Sequence, residues 1–183
     1  MTMRDRPESI PQFPRVPLWR RGVATAIDAV LVGLLSGLLG PGFELPLFGV
    51  LWLVLRVLMV ANNRGQSIGR LAMDIKLVDP RSRRIPTPIE LTKRELIVGA
   101  EAWLALQGLG LLSQVNPVAL LCLAPAIVDG LVTTTDENRQ QQSFHDRLVG
   151  TIVVQTRRGF SLDLKVQRWY RTLRDQTERF MRR

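Results

Sequence analysis

Gly22-Val23-Ala24-Thr25-Ala26-Ile27-Asp28-Ala29-Val30-Leu31-Val32-Gly33-Leu34-Leu35-Ser36-Gly37-Leu38-Leu39-Gly40 is the stretch that decides the fold. Its polar side chains are Thr25, Asp28 and Ser36 and nothing else. A helix lying against water carries a polar face that recurs every 3.6 residues. Three polar groups at those positions make no such face, so this segment reads as a helix solvated by lipid. Three more apolar segments follow, over residues 45–61, 95–112 and 117–132. A spanning helix takes about 20 apolar residues, within a range of roughly 17–25. The first and third segments meet that length, and the second meets it with its flanks. The fourth is short and holds Pro125, which predicts a kink. A soluble four-helix bundle is the competing reading, and the lack of a polar stripe counts against it.

The charges give an independent reading. The 183 residues hold 25 Lys+Arg against 16 Asp+Glu, a net charge of +9. In a soluble chain that excess would point to nucleic acid. Here 24 of the 25 basic residues fall in residues 1–21, in the loop 62–94 or after residue 132, and the other is Arg56 inside a span. The connections 41–44 and 113–116 carry none. Basic residues are retained on the cytoplasmic side of a membrane. The expected architecture is therefore an all-α membrane protein of four transmembrane helices, with both termini cytoplasmic and two tight external hairpins. No nucleic-acid partner is expected, and residues 1–21 contain no apolar run of the kind a signal peptide needs.

Composition excludes several chemistries. His145 is the single histidine and Cys122 the single cysteine. A multi-histidine metal site, an internal disulfide and a CxxC motif are all ruled out. No serine sits in G-x-S-x-G, and no nucleophile–base–orienter set can be assembled. No enzyme activity, cofactor or metal is expected.

Four ionisable residues lie inside the spans: Asp28, Arg56, Glu101 and Asp129. At about 1.5 Å per helical residue, Asp28, Arg56 and Glu101 each sit roughly 10 Å from the basic side. Asp129 lies a few residues from the same side, so all four are expected in one layer. A charge at a helix centre costs roughly 2.5–3.5 kcal/mol, so each needs a partner or a purpose. Arg56 is expected to pair with Asp28, leaving one remaining acid to be protonated or to hold a cation. That layer is either an ion-responsive site or a polar knot that fixes helix packing. Gly33-x-x-x-Gly37 and Gly108-x-Gly110 suggest close helix approach. Trp52 and Trp103 fall within spans, and Trp19 falls at an interface.

On the cytoplasmic side, Ile75-Lys76-Leu77-Val78 and Thr151-Ile152-Val153-Val154-Gln155 read as strands of a small sheet, with residues 83–86 as a third short strand. Residues 1–18 hold four prolines and several charges and read as a disordered tail. Residues 19–155 form the membrane domain. The segment 156–183 reads as a basic amphipathic helix, suited to anionic lipid headgroups.

Three patches carry a family resemblance. They are Arg20-Arg21-Gly22 leading to Asp28, Gly65-Gln66-Ser67-Ile68-Gly69-Arg70 followed by a strand, and Phe144-His145-Asp146-Arg147-Leu148-Val149-Gly150-Thr151. With these the chain resembles the RDD family of small bacterial integral membrane proteins. The family motif residues correspond here to Arg20, Arg21, Asp28, Gly65, Gly69, His145, Asp146, Gly150 and Thr151. Ile68 stands where the family usually has proline, and Asp74 where glycine is common. The resemblance implies a protein of the bacterial inner membrane that transports unidentified ligands. The alternative is an accessory protein that docks on a larger membrane complex. Asp146 is expected to bond Arg94 or nearby amides, and His145 to cap the last span. Four spans leave little room for a pathway in one protomer, so the transport reading carries with it a homo-oligomer or a larger complex.

Overall fold

The computed structural model describes residues 16–40, 42–135 and 142–156. The amphipathic helix expected after residue 156 and residues 1–15 of the tail lie outside the described residues. Val16 is fully buried and Leu18 opens the first helix, so ordered structure begins before residue 19.

Helix α1 covers Leu18–Gly37, displaced toward its N-terminus from the expected 22–40. Gly40 and Gly42 then turn the chain with positive φ. Helix α2 (Glu44–Leu53) runs into a π-helical segment, Val54–Leu58, and then α3 (Met59–Asn62), so that Glu44–Asn62 is one helical rod. A π turn holds an extra residue and is concentrated at functional positions; this one contains the buried Arg56.

A short helix, α4 (Ile68–Ala72), is capped by Ser67, whose hydroxyl accepts the Arg70 amide. Strand β1 (Ile75–Val78) follows. Helix α5 (Pro88–Ser113) starts earlier than the expected residue 95 because Thr87 and Glu90 form a capping box with Pro88 at the first helical position. Helix α6 (Val118–Thr135) continues unbroken past Pro125. Helix α7 (Phe144–Val149) ends at Gly150 in the left-handed region, and β2 (Ile152–Gln155) closes the domain.

The strands pair antiparallel, Ile75 opposite Gln155 and Val78 opposite Ile152. The third strand expected over 83–86 does not form. Residues 79–84 close a tight turn instead: the Asp79 carboxylate accepts from the Arg81 amide and the Ser82 hydroxyl. Alternation gives the sheet two buried faces. Ile75, Leu77 and Val153 pack with Val57, Val60 and Leu91 against the helices, while Val78, Ile152 and Val154 form a separate cluster. A second core unites Val32, Phe48, Trp52, Val98 and Ala102 from α1, α2 and α5.

Among the described residues, three segments, Glu44–Asn62, Pro88–Ser113 and Val118–Thr135, are long and apolar enough to cross a membrane. Helix α1 has 20 residues but carries Arg20, Arg21 and Asp28. Leu34, Leu38, Leu120, Leu121 and Leu131 are exposed, as lipid-facing side chains are. Glycine packing is more selective than the motifs suggest. At Gly108 an added Cβ would lie 3.1 Å from the Ala119 carbonyl oxygen, so α5 and α6 are in close approach there. Gly37 and Gly110 face open space, and Gly33 meets only the Leu106 side chain.

Candidate functional site: a buried charge network beside a cavity

Asp28 is fully buried in α1 and its carboxylate accepts three hydrogen bonds. Oδ2 accepts from Arg56 Nη1 at 2.7 Å and from Ser67 Oγ at 2.6 Å, and Oδ1 accepts from the Gly69 amide at 2.7 Å. The expected Asp28–Arg56 pair is present, and the N-terminus of α4 completes it. Gly69 is required by this approach: a Cβ there would lie 2.0 Å from the Ala24 carbonyl oxygen. Gly65, at φ +84°, places its carbonyl to accept the Leu77 amide at 3.0 Å, which fixes β1 below α4.

The centre of the network is Glu95, on α5. Arg56 Nε donates to its Oε2 at 2.9 Å, Arg70 Nη2 donates to Oε1 at 2.8 Å, and Arg94 Nη1 also donates to Oε1. Trp52 donates its indole N–H to the Glu95 carbonyl at 3.0 Å, with the Arg56 guanidinium over its ring. Trp52 is thus a core residue. Arg94 turns the network toward the closing motif: its Nε donates to Asp146 Oδ1 at 2.8 Å, the pairing expected for that aspartate. Thr151 Oγ1 and Ser143 Oγ also donate to the Asp146 carboxylate. Arg21 donates to the Val153 carbonyl at 3.3 Å, tying the start of α1 to β2.

Burial alone would raise the Asp146 carboxyl, but Arg94, followed by His145, outweighs it and holds Asp146 well below the usual carboxylate range. Burial and the adjacent Arg56 push the Arg70 guanidinium down to about 9, with Glu95 opposing, so it stays charged at neutral pH.

The expected single layer resolves into two linked groups. Asp28, Arg56, Glu95, Arg70, Arg94 and Asp146 form a network of three carboxylates bonded to three guanidinium groups. Glu101 and Asp129 are not in it. They lie farther along α5 and on α6, and meet His145, whose Nδ1 is 3.4 Å from Asp129 Oδ1. His145 therefore faces the side of α6 rather than capping its end. Asp129 Oδ1 also accepts the Phe144 amide at 3.0 Å.

Glu95 sits at the edge of the apolar run, where a carboxylate reads from sequence as a flank and not as an intramembrane charge. Arg70 and Arg94 read as loop charges for the same reason. The signal was Arg70 closing the Gly65–Arg70 motif and Arg94-Glu95 adjacent at the mouth of a span.

A cavity of about 690 Å³ opens between α1, α5 and α6. Its walls are mainly apolar, with Ala29, Val98, Ala102 and Ile127 among them, and its polar lining includes Arg70, Glu101, Asp129 and His145. That volume lies within the roughly 300–1,000 Å³ of small-molecule sites. Arg70 Nη1 is buried here without a hydrogen-bond partner among the described residues.

The model of the RDD family matches residues 15–150. The chain belongs to the RDD family. No curated protein and no solved structure matches it. The matched range holds Asp28, the Gly65–Arg70 loop and His145-Asp146, so the family motifs converge on one buried network. Both departures of this RDD protein from the family pattern have a local account. Ile68 occupies the first position of α4, where proline's fixed φ is suited but not required. Asp74 has φ +56°, the conformation that glycine adopts at least cost, and its carboxylate is held by the Thr156 hydroxyl.

Proposed function

We propose that this RDD-family membrane protein is a non-enzymatic handler of an ion or small polar solute, which it binds in the cavity between α1, α5 and α6. The observation that carries this reading is the cavity's polar end, where Glu101, Asp129 and His145 stand beside the ion-paired network and the two carboxylates take no guanidinium partner of their own among the described residues. Four members of the network, Arg56, Arg70, Arg94 and Asp146, also line the cavity, but ion pairs already engage each of them. Asp28 is held by three donors and does not line the cavity, whereas the Glu101 side chain is half-buried and lines open space. In this reading the chain spans the bacterial inner membrane four times with both termini cytoplasmic. The basic residues clustered beside the sheet, α4 and α7 support that orientation.

The test is ion or solute flux into vesicles carrying the purified protein, compared with Glu101→Gln. A fall in flux with the fold retained supports the reading, and unchanged flux rejects it. Asp28→Asn is the poorer test, because it removes the buried charge paired with Arg56 and puts an NH₂ donor where the carboxylate accepts, which also loosens the fold. A second reading, docking on a larger membrane complex, rests on α6, which has a small buried share among its apolar residues. Recovery of one stoichiometric partner in mild detergent, with no flux, favours that alternative.

A further inference from the structure

We propose that Glu101, Asp129 and His145 bind one divalent first-row transition-metal cation at the polar end of the cavity. The inference deepens the solute-handling reading and rests on it for any role in transport, but binding is measured apart from flux.

Charge balance is the first argument. Asp28, Glu95 and Asp146 are each bonded to a guanidinium, and Arg56, Arg70 and Arg94 match them in number. Glu101 and Asp129 have no Lys or Arg within ion-pair distance among the described residues; His145 is the basic group they meet. Two facing carboxylates in a low-dielectric setting repel each other unless protons or a cation intervene. A divalent cation cancels the pair outright.

Geometry is the second. One ligand atom from each of the three residues lies within 4.8 Å of the other two. The 3.4 Å between His145 Nδ1 and Asp129 Oδ1 matches the edge of a coordination tetrahedron, which is roughly 3.4 Å for metal–ligand bonds near 2.1 Å. The cavity leaves room on the open side for water or a further ligand.

The third argument is His145 itself. It is 6% exposed, yet its Nδ1 has no hydrogen-bond partner among the described residues. Ser143 Oγ donates to Asp146 Oδ2 at 3.0 Å and lies 3.1 Å from His145 Nε2. Ser143 Oγ can therefore accept a proton from Nε2, and in that tautomer the Nδ1 lone pair is free for a cation between the two carboxylates. This is the carboxylate-linked histidine arrangement that orients metal ligands. Arg94 Nη2 also lies 3.1 Å from Nε2, and its donation there would favour the opposite tautomer. Without metal, that tautomer puts the proton on Nδ1, 3.4 Å from Asp129 Oδ1 and without an aligned hydrogen bond; a cation at Nδ1 replaces this proton, and Nε2 then turns from accepting Arg94 to donating to Ser143. One imidazole nitrogen with two carboxylates suits zinc, manganese or iron better than magnesium or calcium. One histidine excludes a multi-histidine site, but not this one.

The experiment is isothermal titration of the tag-free, full-length protein in detergent with Zn²⁺. The expected result is one Zn²⁺ per chain, not displaced by excess Mg²⁺. Glu101→Gln and His145→Gln should each weaken binding by roughly tenfold or more, and Ser143→Ala by roughly 10–100-fold. Absence of Zn²⁺ binding by the folded protein, or equal affinity in wild type and Glu101→Gln, overturns the proposal. Where His145→Gln fails to fold, Glu101→Gln at its half-buried position decides alone. Binding without flux of Zn²⁺ or any other solute leaves this inference standing and removes the transport reading. Flux of another solute without Zn²⁺ binding does the reverse.

Discussion

Gly69 and Glu95 show how single positions hold this network. At Gly69 the α4 backbone touches the α1 backbone, so Gly69→Ala drives a Cβ into the Ala24 carbonyl and pulls the Gly69 amide off Asp28. The clash is with backbone, which no rotamer change relieves, so a loss above about 3 kcal/mol is expected. Thermal unfolding in detergent measures it, and a variant as stable as wild type would show that α4 does not press on α1. Glu95 is where three guanidinium groups share one carboxylate. Glu95→Gln leaves buried positive charges uncompensated, a class of change that costs about 3–5 kcal/mol. The same measurement on Glu101→Gln should show a much smaller loss, because no guanidinium pairs with it. A large loss there would make Glu101 part of the structural knot. This contrast separates the polar-knot and ion-site readings that sequence left open for one presumed layer.

At the scale of elements, the helices and the strand pair were legible because their signals are local. Runs of apolar residues without a polar stripe mark the spans, and β-branched alternation in Ile75–Val78 and 151–155 marks the sheet. What was not legible depends on three-dimensional approach. The π segment at Val54–Leu58 has no composition cue, and it is the element that carries Arg56 between Asp28 and Glu95. Residues 83–86 looked like a strand, but Arg83 takes φ +56° and the Asp79 side chain holds the chain in a turn. The start of α5 was readable in principle from Thr87-Pro88-Ile89-Glu90, a capping pattern that the apolar run starting at Glu95 overshadowed. Thr87→Ala removes the hydroxyl that accepts the Glu90 amide and should cost about 1 kcal/mol. Thermal unfolding should therefore show a small fall in Tm without loss of Zn²⁺ binding. If Zn²⁺ binding falls with it, the first turns of α5 are coupled to Glu101.

For the whole molecule, the decisive question is which end faces the cytoplasm. The sheet, α4, α7 and the starts of α1 and α5 gather at one end, joined by Arg21 to Val153 and by Arg94 to Asp146. The turns after α1 and α5 lie away from it and contain no Lys or Arg over 41–44 and 113–116. Positive charge resists translocation, so these hairpins without Lys or Arg are the ends expected to cross. Cys122 is the sole cysteine and lies on α6, so a Cys122→Ala background permits single cysteines to be placed at will. In intact cells, Gln114→Cys should react with a membrane-impermeant maleimide, whereas Arg84→Cys, in the turn beside β1, should react only after permeabilisation. The opposite pattern inverts the orientation and puts the mouth of the network on the outer surface. Labelling of both positions in intact cells would instead break the spanning arrangement, because residues 84 and 114 flank a single helix that the lipid must separate.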